Sequence, residues 1–325
     1  MDSILEPRKP MREMSDSEWK RQIAELGEEE GYYEPLGPAH AALFADRGPV
    51  LLVSFESRGA IRSRGEGQMP LGYAVAETAD HSSLTLISDR DTWFRDPAVY
   101  AFFDRLVDDG FFEDFDRVVF YGVGPCGYAA AAFSVVAPGA TVIAIQPQAT
   151  LEPRLTGWDD RFTEMRRLCF TDRYGFAPDM LEGVGRAYVL FDPAVTLDAM
   201  HAALMARPWV ELLACFGAGS TVERMLTDLD VLETMLTQAC AGSFDAMSFW
   251  RLYRTRRTSG RYLRHRLAHL EGAGRTYLAA MLCRNALRRM NAPRFRARLG
   301  PLEETLAAKG TPLPGPLPLP LPREI

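Results

Sequence analysis

The strongest chemical signal in the sequence is a glycine-rich turn between two predicted strands. Gly122, Gly124 and Gly127 follow a β-branched run, and the alanine-rich stretch after them predicts a helix. A G-x-G-x-x-G turn at a helix N-terminus lets a pyrophosphate approach the backbone, so these glycines are candidate cofactor-binding residues of a nucleotide-binding oxidoreductase. Two features count against this hypothesis. The acid that would bind the ribose hydroxyl, about 20 residues later, is replaced by Gln146. The dinucleotide fingerprint also usually opens its domain, whereas more than 115 residues precede this turn.

The same segment also resembles the nucleophile elbow of the α/β-hydrolase fold, a G-x-S-x-G turn between a strand and a helix. It reads Tyr121-Gly122-Val123-Gly124-Pro125-Cys126-Gly127-Tyr128, which is similar to a hydrolase elbow of the form Y-G-S-S-M-G-G-Y. Gln146-Pro147-Gln148 resembles the S-P-Q that ends the next strand in that subfamily. The resemblance covers about residues 48 to 230. It implies a nucleophile at position 124, an acid at Asp192 and a base at Ser220.

The sequence departs from this family at the nucleophile, the oxyanion donor and the base. Gly124 has no side chain to attack with, and Pro125 has no backbone N–H to donate to an oxyanion. Ser220 stands where the histidine is expected, and a hydroxyl is no base near neutral pH. The resemblance therefore predicts a degenerate triad region, in which only the acid Asp192 remains.

A shift of the register by two residues places Cys126 at the nucleophile position. A thiol at a helix N-terminus is expected to have a depressed pKa, and the N–H of Gly127 is then available to an oxyanion. In this register a bulky residue, Tyr128, replaces the last elbow glycine. Cys126 therefore remains a candidate nucleophile of a hydrolase or acyltransferase, with a buried structural cysteine as the alternative.

Around the turn, the hydrophobic pattern predicts alternating strands and helices. Six strands are expected within residues 50–215, with helices between them, which is typical of a mostly parallel sheet with flanking helices. We predict an α/β-hydrolase-like domain over residues 46–230, preceded by a helical extension over 1–45. An all-helical module over 231–308 and a Pro/Leu-rich disordered tail over 309–325 complete the chain. One of the expected helices spans Asp159–Cys169, and His201 is expected to be a partly exposed helix residue or, alternatively, a displaced base.

Charge is distributed unevenly along the chain. The net formal charge is −6, yet residues 247–300 hold 14 arginines and one acid, Glu271. This arginine-rich module is predicted to dock on a protein partner or on the acidic part of its own chain, with an anionic ligand as the alternative. Nucleic acid is not favoured, because no recognised DNA- or RNA-binding motif accompanies the arginines.

Composition limits the remaining classes of function. With 47% hydrophobic and 25% charged residues, the chain is typical of a soluble globular protein. The sequence has no apolar run long enough for a membrane span and no secretory signal. Five scattered cysteines favour a reducing cytoplasm over a disulfide framework. No spacing typical of metal ligands is convincing, since His265 and His269 lack the glutamate of H-E-x-x-H. We therefore expect neither a metal nor a cofactor.

Together these patterns predict a catalytically degenerate α/β-hydrolase relative that acts as a binding or scaffold protein. The resemblance implies a setting in surface-polysaccharide or envelope metabolism. A Cys126-dependent enzyme and the oxidoreductase remain alternatives. A phosphoadenosine-phosphosulfate reductase is a special case of the oxidoreductase alternative. That enzyme requires an E-C-G-x-H motif near the C-terminus, whereas Cys283 lies in Leu-Cys-Arg-Asn, so the motifs do not support it.

Overall fold

The central element of the chain is one eight-stranded sheet with the order β1-β2-β4-β3-β5-β6-β7-β8. Strand β2 is antiparallel to both of its neighbours, and β3 to β8 run parallel. The strands are β1 (Gly31–Leu36), β2 (His40–Ala45), β3 (Val50–Ser57), β4 (Ser82–Ser88), β5 (Arg117–Val123), β6 (Thr141–Ile145), β7 (Arg186–Phe191) and β8 (Val210–Ala214).

These strands belong to a computed structural model that describes residues 10–65 and 67–315. Its helices up to the sheet's last strand are α1 (Asp16–Glu30), α2 (Arg58–Ser63), α3 (Leu71–Thr78), α4 (Pro97–Asp108), α5 (Pro125–Phe133), α6 (Pro153–Thr156), α7 (Ala177–Met180) and α8 (Thr196–Met205). After the sheet follow α9 (Val222–Asp228), α10 (Leu232–Cys240), α11 (Ala246–Leu252), α12 (Gly260–Gly272), α13 (Thr276–Leu287) and α14 (Pro293–Ala308).

The strand order decides between the two interpretations of the glycine turn. Four strands precede β5 along the chain, and β5 lies inside the sheet between β3 and β6. A dinucleotide fingerprint instead follows the first strand of its domain. The strand order therefore gives the oxidoreductase no support. An interior β5 that leads into α5, with an antiparallel second strand, is the arrangement of the α/β-hydrolase fold, so the predicted fold class is confirmed.

Helices cover both faces of the sheet. Successive residues of a strand point to opposite faces, so strands that are apolar throughout need packing partners on both sides. On one face, Phe44 of β2 joins a core that includes residues of α4, α5, α7 and α8. On the other face, the next residue, Ala45, packs with Trp19 and Ile23 of α1 and with Tyr73 of α3.

The helix α1 begins at a capping box in which the Ser15 hydroxyl accepts from the backbone N–H of Glu18.

The chain divides into two compact units, which we call the α/β unit (Met1–Ala246) and the helical unit (Met247–Ile325). This boundary differs from the predicted one at residue 230, because α10 packs against α3, β3 and β5. The predicted helical extension over 1–45 is also wrong in its second half, since β1 and β2 lie there and pair with the sheet.

The predicted helix Asp159–Cys169 is absent as well. A short 3-10 turn, Thr163–Arg167, replaces it. Residues at the start of this segment are instead drawn into tertiary hydrogen bonds, which are described below.

The helical unit has a small apolar core of its own. Leu263 of α12, Cys283 of α13, and Phe295 and Leu302 of α14 are among its buried members. Leu313 packs against this core, and the Pro314 carbonyl accepts a hydrogen bond from Arg284 at 2.5 Å. The start of the predicted tail therefore contacts the helical unit, and residues 316–325 lie outside the described part of the chain. Within the described residues, no helix is both long and apolar enough to span a bilayer.

Candidate functional site

The turn between β5 and α5 keeps the backbone of an elbow. Gly124 has φ 57° and ψ −121° and precedes the helix as its N-cap. This left-handed φ favours glycine, and it occurs at position 124 rather than at Cys126, which lies inside the first turn of α5. Strand and helix pack closely, because a Cβ added at Gly122 would lie 2.1 Å from the Cys126 carbonyl oxygen. Of the two registers of the resemblance, the left-handed backbone thus occurs at the position of the first, Gly124.

Around Gly124 there is open space. Among the described residues, a Cβ built at this position would meet no atom within 4 Å apart from its own chain neighbours. Pro125 occupies the first position of α5 and has no N–H, so the usual oxyanion donor after the nucleophile is missing. The turn therefore has the conformation that presents a nucleophile, without a nucleophile to present.

Cys126 lies in an environment that disfavours its thiolate. Burial raises the pKa of the Cys126 thiol, and the nearby carboxylates of Glu56 and Glu223 raise it further. The expectation of a depressed pKa at this helix N-terminus is therefore wrong, because desolvation and negative charge act against the thiolate. The catalytic role of Cys126 stays a prediction.

Beside Cys126 lies an ion-pair network that sequence reasoning missed. Arg64 pairs with Glu56 at the end of β3 and donates to Glu223 of α9 at 2.6 Å. The Tyr121 hydroxyl donates to the same Glu223 oxygen at 3.4 Å. The Glu56 side chain is only 1% exposed, so an unpaired carboxylate there would be costly. A glutamate within the apolar strand Val50–Ser57 was the available signal.

Glu56 also anchors the segment that follows β3. Its two carboxylate oxygens accept hydrogen bonds from the backbone N–H groups of Leu71 and Gly72, at 3.0 and 2.9 Å. Both donors belong to the first turn of α3, where a negative charge is favoured. The network consequently fixes α3, β5 and α9 against one another at the carboxyl edge of the sheet.

Asp192 lies where the resemblance places the acid, directly after β7, and its oxygens are already engaged. Oδ2 accepts from the backbone N–H groups of Gly217 (2.9 Å) and Gly219 (2.7 Å), and Oδ1 accepts from that of Ala194 (3.0 Å). The structure thus brings Asp192 to the loop that contains Ser220, which is exposed. The carboxylate holds this loop by its backbone, which is a structural use of the acid position.

His201, in contrast to the expectation of partial exposure, is completely buried. Its Nδ1 accepts from the backbone N–H of Ala149 at 3.1 Å, so Nε2 carries the proton and donates to Asp159 at 2.9 Å. Burial lowers the pKa of His201, which the hydrogen bond to Asp159 opposes. For Asp159, burial opposes ionisation, but hydrogen bonds from Arg161 and His201 outweigh it and lower its pKa to about 2.

Arg161 extends this network to three further residues. It donates to Asp198 at 2.7 Å, and Asp198 accepts from the Gln146 amide at 2.6 Å. Gln146 in turn accepts from the backbone N–H of Val222 at 2.9 Å. Gln146 therefore links the end of β6 to α8 and α9. It is the residue that stands where a dinucleotide site would have its ribose-binding acid.

A pocket of about 720 Å³ opens beside the Arg64–Glu223 pair. It lies between the connection of α2 to α3 and the helix α9, and its wall includes Leu71, Thr227 and Leu232. In open sheets with parallel strands, ligands bind at the carboxyl edge. The residues that line this pocket belong to helices and to their connections, and Arg64 and Glu223 link it to the network at the carboxyl edge. Among the residues that the structure describes, no group of three or more histidine, cysteine or acidic side chains is arranged to hold a metal ion.

No protein-family model matches the sequence, and none of the curated proteins matches it. Solved structures resemble it in three dimensions. The thermophilic carboxylesterase EstE1 from a metagenomic library is 14% identical, with a TM-score of 0.42, over 71% of this chain and 99% of that chain. An esterase of Pyrococcus furiosus is 8% identical, with a TM-score of 0.42, over 64% and 90%.

A mutant of the capsule O-acetyltransferase of Neisseria meningitidis serogroup A, in complex with CoA, is 9% identical, with a TM-score of 0.40, over 62% of this chain and 94% of that chain. Likenesses with TM-scores and identities this low carry no argument about this chain. The fold follows from the chain's own eight strands, whose order and directions are those of an α/β-hydrolase fold.

Proposed function

We propose that this protein is a catalytically degenerate α/β-hydrolase relative that binds a ligand or partner instead of hydrolysing an ester. The observation that carries the proposal is the turn at Gly124. It keeps the elbow backbone and open space above it, but it lacks a nucleophile, and Pro125 lacks the oxyanion donor.

Two further features support a binding role. Asp192 accepts hydrogen bonds from three backbone N–H groups, so the carboxylate at the acid position already stabilises backbone in the absence of a histidine at position 220. The pocket beside Arg64 and Glu223 is large enough for a small ligand. We place this role in surface-polysaccharide or envelope metabolism, the setting that the resemblance implies. The Cys126-dependent enzyme is not proposed, since burial and the nearby carboxylates of Glu56 and Glu223 raise the pKa of its thiol.

The test is esterase activity toward short acyl esters, together with labelling by a serine-reactive phosphonate. We expect the wild-type chain to be inactive and unlabelled. Gly124→Ser should remain inert, because triad members act as a unit and one restored member recovers almost nothing. Gly59→Ser, at another glycine with open space around it, is the matched control for background labelling.

The triple variant Gly124→Ser, Pro125→Met, Ser220→His restores nucleophile, oxyanion donor and base together, and it is the variant in which weak hydrolysis is expected. Hydrolysis by the wild type that disappears in Cys126→Ala, while the fold is retained, would contradict the proposal and make Cys126 the nucleophile.

A further inference from the structure

The helical unit carries a charge that its own acids do not balance. Residues 247–325 contain 15 arginines and one lysine against four acids, and residues 247–300 alone hold 14 of these arginines and one of the acids. That acid, Glu271 of α12, accepts a hydrogen bond from Arg298 at 2.5 Å. Arg284 pairs with another of the acids, Glu303, at 2.7 Å. An excess of this size creates a positive potential over the surface of the unit and attracts anionic partners.

One exposed stripe of the unit combines arginine with large apolar side chains. Met247, Trp250, Arg251 and Arg254 are all exposed and are spaced i, i+3, i+4 and i+7 through α11 and the turn after it. Met247 is 61% exposed and Trp250 36%. The inward-facing residue between them, Phe249, is completely buried. The stripe therefore joins apolar and cationic groups on one face.

A second exposed group of the same composition begins α13. Arg275, Tyr277 and Leu278 are exposed there, Tyr277 by 42% and Leu278 by 50%. The opposite side of α13 supplies Ala279 and Cys283, among others, to the core of the helical unit. The side chains of Tyr277 and Leu278 therefore remain exposed and do not contribute to this core.

An anionic bilayer satisfies both the cationic and the apolar component of each group. Guanidinium groups bind lipid phosphates, tryptophan and tyrosine favour the membrane–water interface, and methionine or leucine can enter the acyl boundary. A nucleic acid would use the arginines and the aromatic rings but would leave Met247 and Leu278 without a role. We propose that the helical unit docks on anionic lipid bilayers through the exposed residues Met247, Trp250, Arg251, Arg254, Arg275, Tyr277 and Leu278.

Cosedimentation of the full chain with vesicles tests this proposal. We expect binding to phosphatidylcholine vesicles that contain 30% phosphatidylglycerol, and none to pure phosphatidylcholine. Each arginine near such a surface contributes about a fivefold change in affinity, so replacing Arg251, Arg254 and Arg275 by glutamine should weaken binding roughly 100-fold. The matched control replaces three exposed arginines of the α/β unit, Arg90, Arg167 and Arg186, by glutamine. It makes the same change in net charge and should change binding less than about twofold, because these residues do not belong to the proposed docking groups.

The apolar component is tested by Met247→Ser together with Leu278→Ser, two exposed positions at which folding should be unaffected. We expect this double variant to bind about tenfold more weakly, with an unchanged urea midpoint. Absence of binding to the anionic vesicles, or equal losses from the two triple variants, would overturn the proposal. Full binding by the double variant, combined with displacement by poly(U), would assign the surface to nucleic acid instead.

Discussion

Gly124→Ala isolates what the elbow backbone demands of its residue. A methyl group at this position meets open space, so the cost comes from the backbone alone, which stands at φ 57°. Non-glycine residues held in such sparsely populated regions cost about 1–3 kcal/mol. For a domain of the size of the α/β unit, we expect the melting temperature to fall by about 2–4 °C per kcal/mol.

Two comparison variants separate backbone strain from steric clash. Gly59→Ala has the same open surroundings but lies within α2 at an ordinary φ, and it should be neutral or slightly stabilising, because alanine favours helices. Gly122→Ala places a methyl group 2.1 Å from the carbonyl oxygen of Cys126. Since that neighbour is backbone and cannot rotate away, Gly122→Ala should be the most destabilising of the three.

The measurement is the free energy of unfolding in urea for all three variants. The expected order of destabilisation is Gly122→Ala, then Gly124→Ala, then Gly59→Ala. A neutral Gly124→Ala would refute the reasoning, because the turn would then not require a left-handed residue. Equal losses at Gly122 and Gly124 would show that crowding, and not conformation, decides both positions.

Three other predictions concern buried polar groups and thiols. Asp192→Ala should lower the free energy of unfolding in urea by about 3 kcal/mol, because the N–H groups of Gly217 and Gly219 lose a charged acceptor. The control Asp160→Ala, at an exposed position, should change this free energy by less than about 0.5 kcal/mol. Burial lowers the pKa of His201, so the histidine takes up its proton at a higher pH in the unfolded chain than in the folded one. The free energy of unfolding in urea should therefore fall as the pH is lowered from 6.5 to 5, and it should fall less steeply in His201→Gln. Hydrogen bonds from Thr171 lower the pKa of the exposed Cys169, which should therefore react with iodoacetamide long before Cys126, as peptide mass spectrometry can follow.

Tertiary pairing decided the strands that the pattern did not predict. His40–Ala45 is rich in alanine, and Gly31–Leu36 contains a proline, so neither segment has the β-branched composition of a typical strand. They become strands because β2 finds an antiparallel partner in β4 and β1 finds one in β2. The predicted helix from Asp159 fails for a related reason, since Asp159 and Arg161 serve a network that reaches α8.

The sequence by itself determined the parallel part of the sheet, the glycine turn and the helical C-terminal region. Short β-branched runs, a Gly-Pro pair and helical periodicity are local signals that need no partner. Only the tertiary structure decided the chemistry around the turn. It brings Glu56, Arg64 and Glu223 together from β3, the residue after α2, and α9, and it buries Cys126 beside their carboxylates. The protonation state of a thiol depends on desolvation and on charges that are distant in sequence, so it is a property of the folded protein and not of the local motif.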